Sequence, residues 1–128
     1  MMVKIKRIYD SVSADDGRRI YIDRLWPRGM KKGDAVFDDW LKEVSPSGDL
    51  RKWFGHDPAR WHEFKKRYAK ELEEKKEVVG QLKRQARKGT ITLLYSAKDR
   101  EHNNAVAMKE MLEKDGGPDV KTAAKTAA

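Results

Sequence analysis

The sequence predicts an α/β domain, a small sheet of about three or more strands flanked by helices, with one long helix near residues 58–88. Three observations predict it. Residues 3–9 (VKIKRIY) and 19–25 (RIYIDRL) have strand periodicity, and an apolar stripe at helical spacing runs from Trp61 to Ala86. A near-continuous apolar run, TITLLY at 90–95, then follows the stripe. Such a run suits a strand covered on both faces, hence the middle of a sheet packed against helices.

In chain order, residues 3–9 alternate apolar and basic side chains, as a strand with one wet face does. Residues 11–17 (SVSADDG) are rich in turn formers and read as a loop. In the second strand Ile20 and Ile22 share one face while Tyr21 and Leu25 share the other, and Pro27 and Gly29 end it. Phe37, Trp40, Leu41 and Val44 are at helical spacing, which predicts a helix over 37–44 with Asp34 as a cap, stopped at Ser45-Pro46. Ser47 can cap a short helix through LRKWF.

The long helix opens with Asp57 as N-cap and Pro58 at its first position, where the missing N–H costs nothing. Its stripe is Trp61, Phe64, Tyr68, Leu72, Val79, Leu82 and Ala86, with Gly80 a point where the helix can bend or divide. Lys83, Arg84, Arg87 and Lys88 suit its C-terminal dipole, and Gly89 supplies a stop. A last amphipathic helix is expected over 103–114. The duplicated tetrad in KTAAKTAA marks a low-complexity tail, so the expected organisation is one compact domain over 1–115 and a mobile tail over 116–128.

Composition narrows the function. With 128 residues the chain is one ordinary domain. Zero cysteines remove a disulfide scaffold, a thiolate zinc site and a Cys nucleophile together. No apolar run approaches the roughly 18 residues of a membrane span, and the N-terminus lacks a signal peptide's apolar region. The expected setting is cytoplasmic, without membrane association. Leu, Ile, Val and Phe are few, but four Trp, four Tyr and three Phe can supply the core. The net charge is +8, and it is concentrated in residues 59–89, which carry 11 basic and 5 acidic side chains. That segment can contact phosphates, or it can be the solvated face of a long helix, as glutamates 71, 73, 74 and 77 in its middle suggest.

Three clusters hold the residue types of a site. Asp23, Arg24, Trp26 and Arg28 leave the second strand; Trp53, His56, Asp57, Arg60 and Trp61 open the long helix; Lys98, Asp99, His102 and Asn103 follow the third strand. Ligand crevices of open α/β sheets lie beyond the carboxyl ends of strands, so the first and third clusters would meet if their strands are parallel neighbours. Arginines 24 and 28 can hold a phosphate or carboxylate through paired N–H groups, and Trp26 or Trp53 offers a ring for stacking. The candidate ligand residues are Arg24, Trp26, Arg28, Trp53, Arg60, Lys98 and Asn103. His56 or His102 could move a proton, oriented by Asp57 or Asp99. The alternative is an internal Arg–Asp network with tryptophans packed on the guanidinium groups. Paired histidines at i, i+3 or i, i+4, a Walker loop and a Gly-x-Gly-x-x-Gly are all absent, so neither a metal nor a cofactor is expected. Ser96 lacks the Gly-x-Ser-x-Gly context of a hydrolase elbow.

The stretches DRLWPRG (23–29), PSGDLRKWFGHDPARWHEF (46–64), RYAKEL (67–72), GTITLLYSAKD (89–99) and EHNNA (101–105) resemble the YeaO-like family of short prokaryotic proteins. Ser45 and Ser96 stand where many members would carry alanine. The resemblance implies a compact α/β fold and a prokaryotic cytoplasmic setting, and it implies no activity. It maps the family's motif onto the three clusters and so supports treating them as one unit. The leading expectation is binding of, and conceivably action on, a phosphorylated or anionic small molecule in an Arg/Trp/His-lined crevice. Two others stand beside it: a nucleic-acid-associated module using residues 59–89, and a structural or interaction protein without a ligand site.

Overall fold

The computed structural model describes residues 2–116; apart from Gly116, the expected tail over 116–128 lies outside the described residues. The elements are β1 (Met2–Arg7), β2 (Arg18–Tyr21), β3 (Asp39–Trp40), α1 (Gly48–Phe54), α2 (Trp61–Leu72), α3 (Lys76–Lys88), β4 (Thr90–Tyr95) and α4 (Asn104–Gly116). The sheet order is β1-β4-β2-β3, with every neighbouring pair parallel. TITLLY is thus an interior strand, as its apolar run predicts.

Strand alternation sends Val3, Ile20, Ile22, Ile91, Leu93 and Tyr95 into one core with the helices. All seven residues of the predicted helical stripe are buried there. Tyr21 and Leu94 point the other way, into a smaller cluster with Ile8, on which Met30, Phe37 and Trp40 pack. Loops rather than helices cover that second face.

The helical run over 58–88 begins as expected: Asp57 accepts from Ala59 N–H (3.0 Å) and Pro58 opens a 3-10 turn ahead of α2. A further 3-10 turn at Glu73–Lys75 divides the run into α2 and α3, whereas Gly80 lies inside α3. Ser47 caps α1, its hydroxyl accepting from Leu50 N–H at 3.1 Å.

The helix expected over 37–44 is absent. The backbone there pairs with β2 instead, Asp38 N–H donating to Arg19 O (2.7 Å) and Leu41 N–H to Tyr21 O (2.9 Å), and Lys42–Val44 form a 3-10 turn. Extended geometry also explains the misleading spacing. Phe37 and Trp40 pack on Tyr21 on the loop-covered face, while Leu41 and Val44 join the helical core.

The β1–β2 connection crosses β4 on the loop-covered face. There Thr92 Oγ1 donates to Asp16 O (2.6 Å), and the buried Asp16 carboxylate takes Lys6 (2.8 Å), Ser13 N–H (3.0 Å) and Arg19 (2.5 Å). Burial works against its ionisation, but Lys6, Ser13 and Arg19 outweigh it and hold its pKa at about 2. Gly17, at φ 66°, follows immediately, and a Cβ there would collide with the Thr90 backbone.

Candidate functional site

The parallel pairing of β2 with β4 brings their exits together, and Asp23 joins them. Its Oδ2 accepts from Ser96 N–H (2.9 Å) and Ser96 Oγ (2.6 Å), its Oδ1 from Asn104 Nδ2 (2.9 Å), and its carbonyl from Trp40 Nε1 (2.7 Å). One residue therefore joins the β2 exit to β4 and the start of α4 through its carboxylate, and to β3 through its carbonyl. The Ser96 hydroxyl is turned to this carboxylate, which is what a serine gains over alanine at that position.

The second and third clusters meet through rings. Phe54 contacts both His56 (centroids 6.3 Å) and Trp61 (6.0 Å), and His102 meets Trp61 edge-on at 5.3 Å. His102 Nδ1 lies 3.0 Å from Asp99 Oδ2. The other Asp99 oxygen accepts from Glu101 N–H (2.8 Å) and His102 N–H (3.0 Å). The Glu101 bond is the main reason that the Asp99 carboxyl lies below the usual carboxylate range; partial burial opposes it and His102 assists. Asn103 is buried, donating to Asp99 O (2.9 Å) and accepting from Val106 N–H (2.9 Å), so its amide serves the start of α4. Of the four proton-transfer candidates, Asp57 and Asp99 cap turns and His102 lies against Trp61. His56 is exposed, held at φ 57° directly after Gly55, itself left-handed at φ 55°.

The candidate ligand residues disperse. Arg24 lines an open groove of about 920 Å³ between the β2 exit, the 42–47 turn and the C-terminal end of α2. Arginine 28 instead sits toward the β1 exit, where its carbonyl accepts from Tyr9 Oη (2.7 Å). Trp26 donates to Met30 O (2.8 Å) and packs edge-on against Phe37 and Trp40, within the loop layer. Trp53 is contacted by two guanidinium groups, Arg67 at 4.1 Å and Arg60 at 5.3 Å from its ring centre, and Arg60 also donates to its carbonyl. Lys98 is exposed beyond the end of β4. The three clusters are thus linked by contacts, but their cations do not converge on one point.

The groove recruits Arg67, Lys70 and Lys75 from the 59–89 segment, for which the sequence leaves phosphate contact and a solvated face both open. Lys42, Arg67, Lys70 and Lys75 line it with Arg24, against Glu43, Glu71 and Glu74. Both Glu71 oxygens are occupied by Ser47, through its N–H (2.9 Å) and its hydroxyl (2.6 Å). The available signal was the 67/70 spacing, which places two cations on one flank of α2 beside the buried stripe. Among the described residues no group of three or more His, Asp or Glu could hold a metal ion, and no helix is long and apolar enough to cross a membrane.

A family model described as "Inactive DUF488-N3 subclade" matches residues 2–125. The chain is 41% identical over 112 residues to the uncharacterized protein YeaO of Escherichia coli (strain K12), covering 88% of this chain and 97% of that protein. It is 32% identical over 110 residues to the uncharacterized protein Rv3073c of Mycobacterium tuberculosis (strain ATCC 25618 / H37Rv), covering 86% and 92%. No solved structure matches.

Proposed function

The chain belongs to the inactive DUF488-N3 subclade, and on that premise we propose that it binds a phosphorylated or otherwise anionic small molecule without turning it over. The ligand lies in the groove at the β2 exit. The observation that carries this reading is the groove's charge. Five cationic side chains face three carboxylates, one of which is already taken up by Ser47. Arg24 and Arg67 supply planar N–H forks suited to phosphate or carboxylate oxygens, and the lysines add point charges. Trp53 stiffens Arg67 by stacking. The word "inactive" in the family's description supports binding without chemistry. So does the use of Asp57 and Asp99 as turn caps.

The test is thermal denaturation and calorimetric titration with pyrophosphate, a nucleoside triphosphate, a sugar phosphate, a dicarboxylate and a short oligonucleotide, at low and moderate salt. A bound small anion at about 100 times its Kd adds about 2.7 kcal/mol, which raises Tm by several degrees. Arg24→Ala and Arg67→Ala should each remove that rise, while Arg28→Ala should keep it. A response lost in Arg28→Ala but kept in Arg24→Ala refutes the groove, as does no response to any compound. A response to the oligonucleotide alone, falling steeply with salt, would replace this reading with nucleic-acid contact along residues 59–89.

A further inference from the structure

The stretch that leaves β2, DRLWPRGMKKGD over 23–34, carries aromatic and basic residues that the groove does not use. It folds as two successive turns, Met30 N–H donating to Pro27 O (3.3 Å) and Asp34 N–H to Lys31 O (2.9 Å). Gly29, at φ 80°, fills the position of the first turn that requires a left-handed residue. Two aromatic side chains clamp that turn. Trp26 Nε1 donates to Met30 O (2.8 Å), and Tyr9, arriving from beyond β1, donates through Oη to Arg28 O (2.7 Å). Phe37 and Trp40 brace the indole edge-on at 6.1 and 5.8 Å, and the Arg7 guanidinium lies 4.7 Å from the Tyr9 ring centre.

Fixed as they are, both rings remain partly at the surface, Tyr9 38% and Trp26 37% exposed. Their polar atoms are already bonded to the loop backbone, so the part left to solvent is apolar ring. Leu25, next to Trp26 in the chain, and Val36, next to Phe37, are also exposed and add to the apolar surface. The same turns carry Arg28, Lys31 and Lys32. All three are exposed, and among the described residues their side chains have neither an ion pair nor a hydrogen bond. Asp34 is the one carboxylate within the two turns. This surface is therefore cationic as well as aromatic.

We propose that the 26–32 loop, with Tyr9, binds single-stranded nucleic acid. Unpaired bases stack on Trp26 and Tyr9, and Arg28, Lys31 and Lys32 take the backbone phosphates. Rings interleaved with free cations hold single strands with little regard to sequence, because every base has a face to stack. In a duplex those faces are buried between neighbouring pairs, so the rings select the unpaired strand. A lipid bilayer is served less well: rings bonded to the loop through Nε1 and Oη cannot swing out into it. A second copy of this chain would set the three cations against themselves across a two-fold axis. The proposal does not depend on the groove reading, since none of Tyr9, Trp26, Arg28, Lys31 and Lys32 lines the groove.

The probe is a fluorescein-labelled thymidine strand of about twelve nucleotides, titrated into the full chain by anisotropy from about 50 to 200 mM salt. Three phosphate contacts predict a slope of log affinity against log salt of about −2. The double variant Lys31→Ala/Lys32→Ala, at exposed positions without bonds, should bring it to about −1 and weaken binding. Trp26→Leu, which keeps an apolar roof over Phe37 and Trp40 but removes the stacking face, should weaken binding at least fivefold. The strand paired with its complement should bind at least tenfold more weakly. In NMR spectra the strand should move the Trp26 indole N–H and the amides of 26–32. A duplex that binds as well as the single strand would reduce the effect to charge attraction and overturn the proposal. Shifts confined to residues 59–89 would overturn it in favour of the helical face. Binding to vesicles of phosphatidylserine and phosphatidylcholine, with none of the strand, would overturn it in favour of a membrane surface, and no response to either probe would leave Trp26 and Tyr9 as clamps of the turn alone.

Discussion

Replacing Asp16 with asparagine tests the account of the β1–β2 crossover most directly. The carboxylate is buried and holds two cations, Lys6 and the buried Arg19, whose Nη2 already has no partner among the described residues. Asp16→Asn keeps the volume and removes the charge, leaving Arg19 buried and uncompensated. Breaking a buried pair from one side costs about 3–5 kcal/mol. At about 4 °C per kcal/mol for a domain of this size, Tm at pH 7 should fall by about 12–20 °C. The pH dependence gives a second, independent magnitude. The folded pKa, about 2, lies below the ordinary 3.8, so the stabilisation is fully present above about pH 4 and disappears as pH falls through about 2. That contribution is about 2.5 kcal/mol. Unfolding of both proteins by urea from pH 7 to pH 2 should show a gap that is constant down to about pH 4 and then narrows by that amount. A gap under 1 kcal/mol at pH 7, or one that stays constant to pH 2, would refute the reasoning.

Further outcomes follow from the same geometry. Gly17→Ala should destabilise by more than about 2 kcal/mol in chemical denaturation, since the left-handed φ and the Thr90 backbone both exclude a Cβ. Trp61→Ala should cost about 3–5 kcal/mol by removing the ring between Phe54 and His102, read by the same method. Asp99→Ala should cost about 1 kcal/mol through the lost cap, read by the same method. Arg28→Ala should change stability by less than about 0.5 kcal/mol, because the side chain is exposed and, among the described residues, Arg28 is bonded through its carbonyl.

What was legible in the sequence was what local chemistry decides. The stripe from Trp61 to Ala86, the caps at Ser47 and Asp57 and the interior character of TITLLY each follow from spacing or a single side chain, and each stands in the structure. The 37–44 segment was misread because its apolar positions satisfy a helical spacing, whereas long-range bonds to Arg19 and Tyr21 hold its backbone extended. The site was legible only as residue types. That β2 and β4 are parallel neighbours, and that Asp23 joins Ser96 to Asn104, depends on partners more than 70 positions apart. The groove cations on α2 could not be told from a solvated face, because only the packing of the 42–47 turn against that helix makes a groove of it.

The strand order has a consequence in time. β1 and β2 both pair with β4, so Met2 waits for Thr90 and Arg18 for Ile91. At about 5–20 residues per second, a ribosome extends the chain for on the order of 5–20 s between the first strand and its partner. During that interval the core faces of α1, α2 and α3 have no completed sheet to cover them, and β1 has both edges open. A chain halted before residue 90 would therefore carry the helices without the sheet, a state suited to capture by a holding chaperone. Folding should be set by the closure of this last, long-range strand rather than by the formation of any helix.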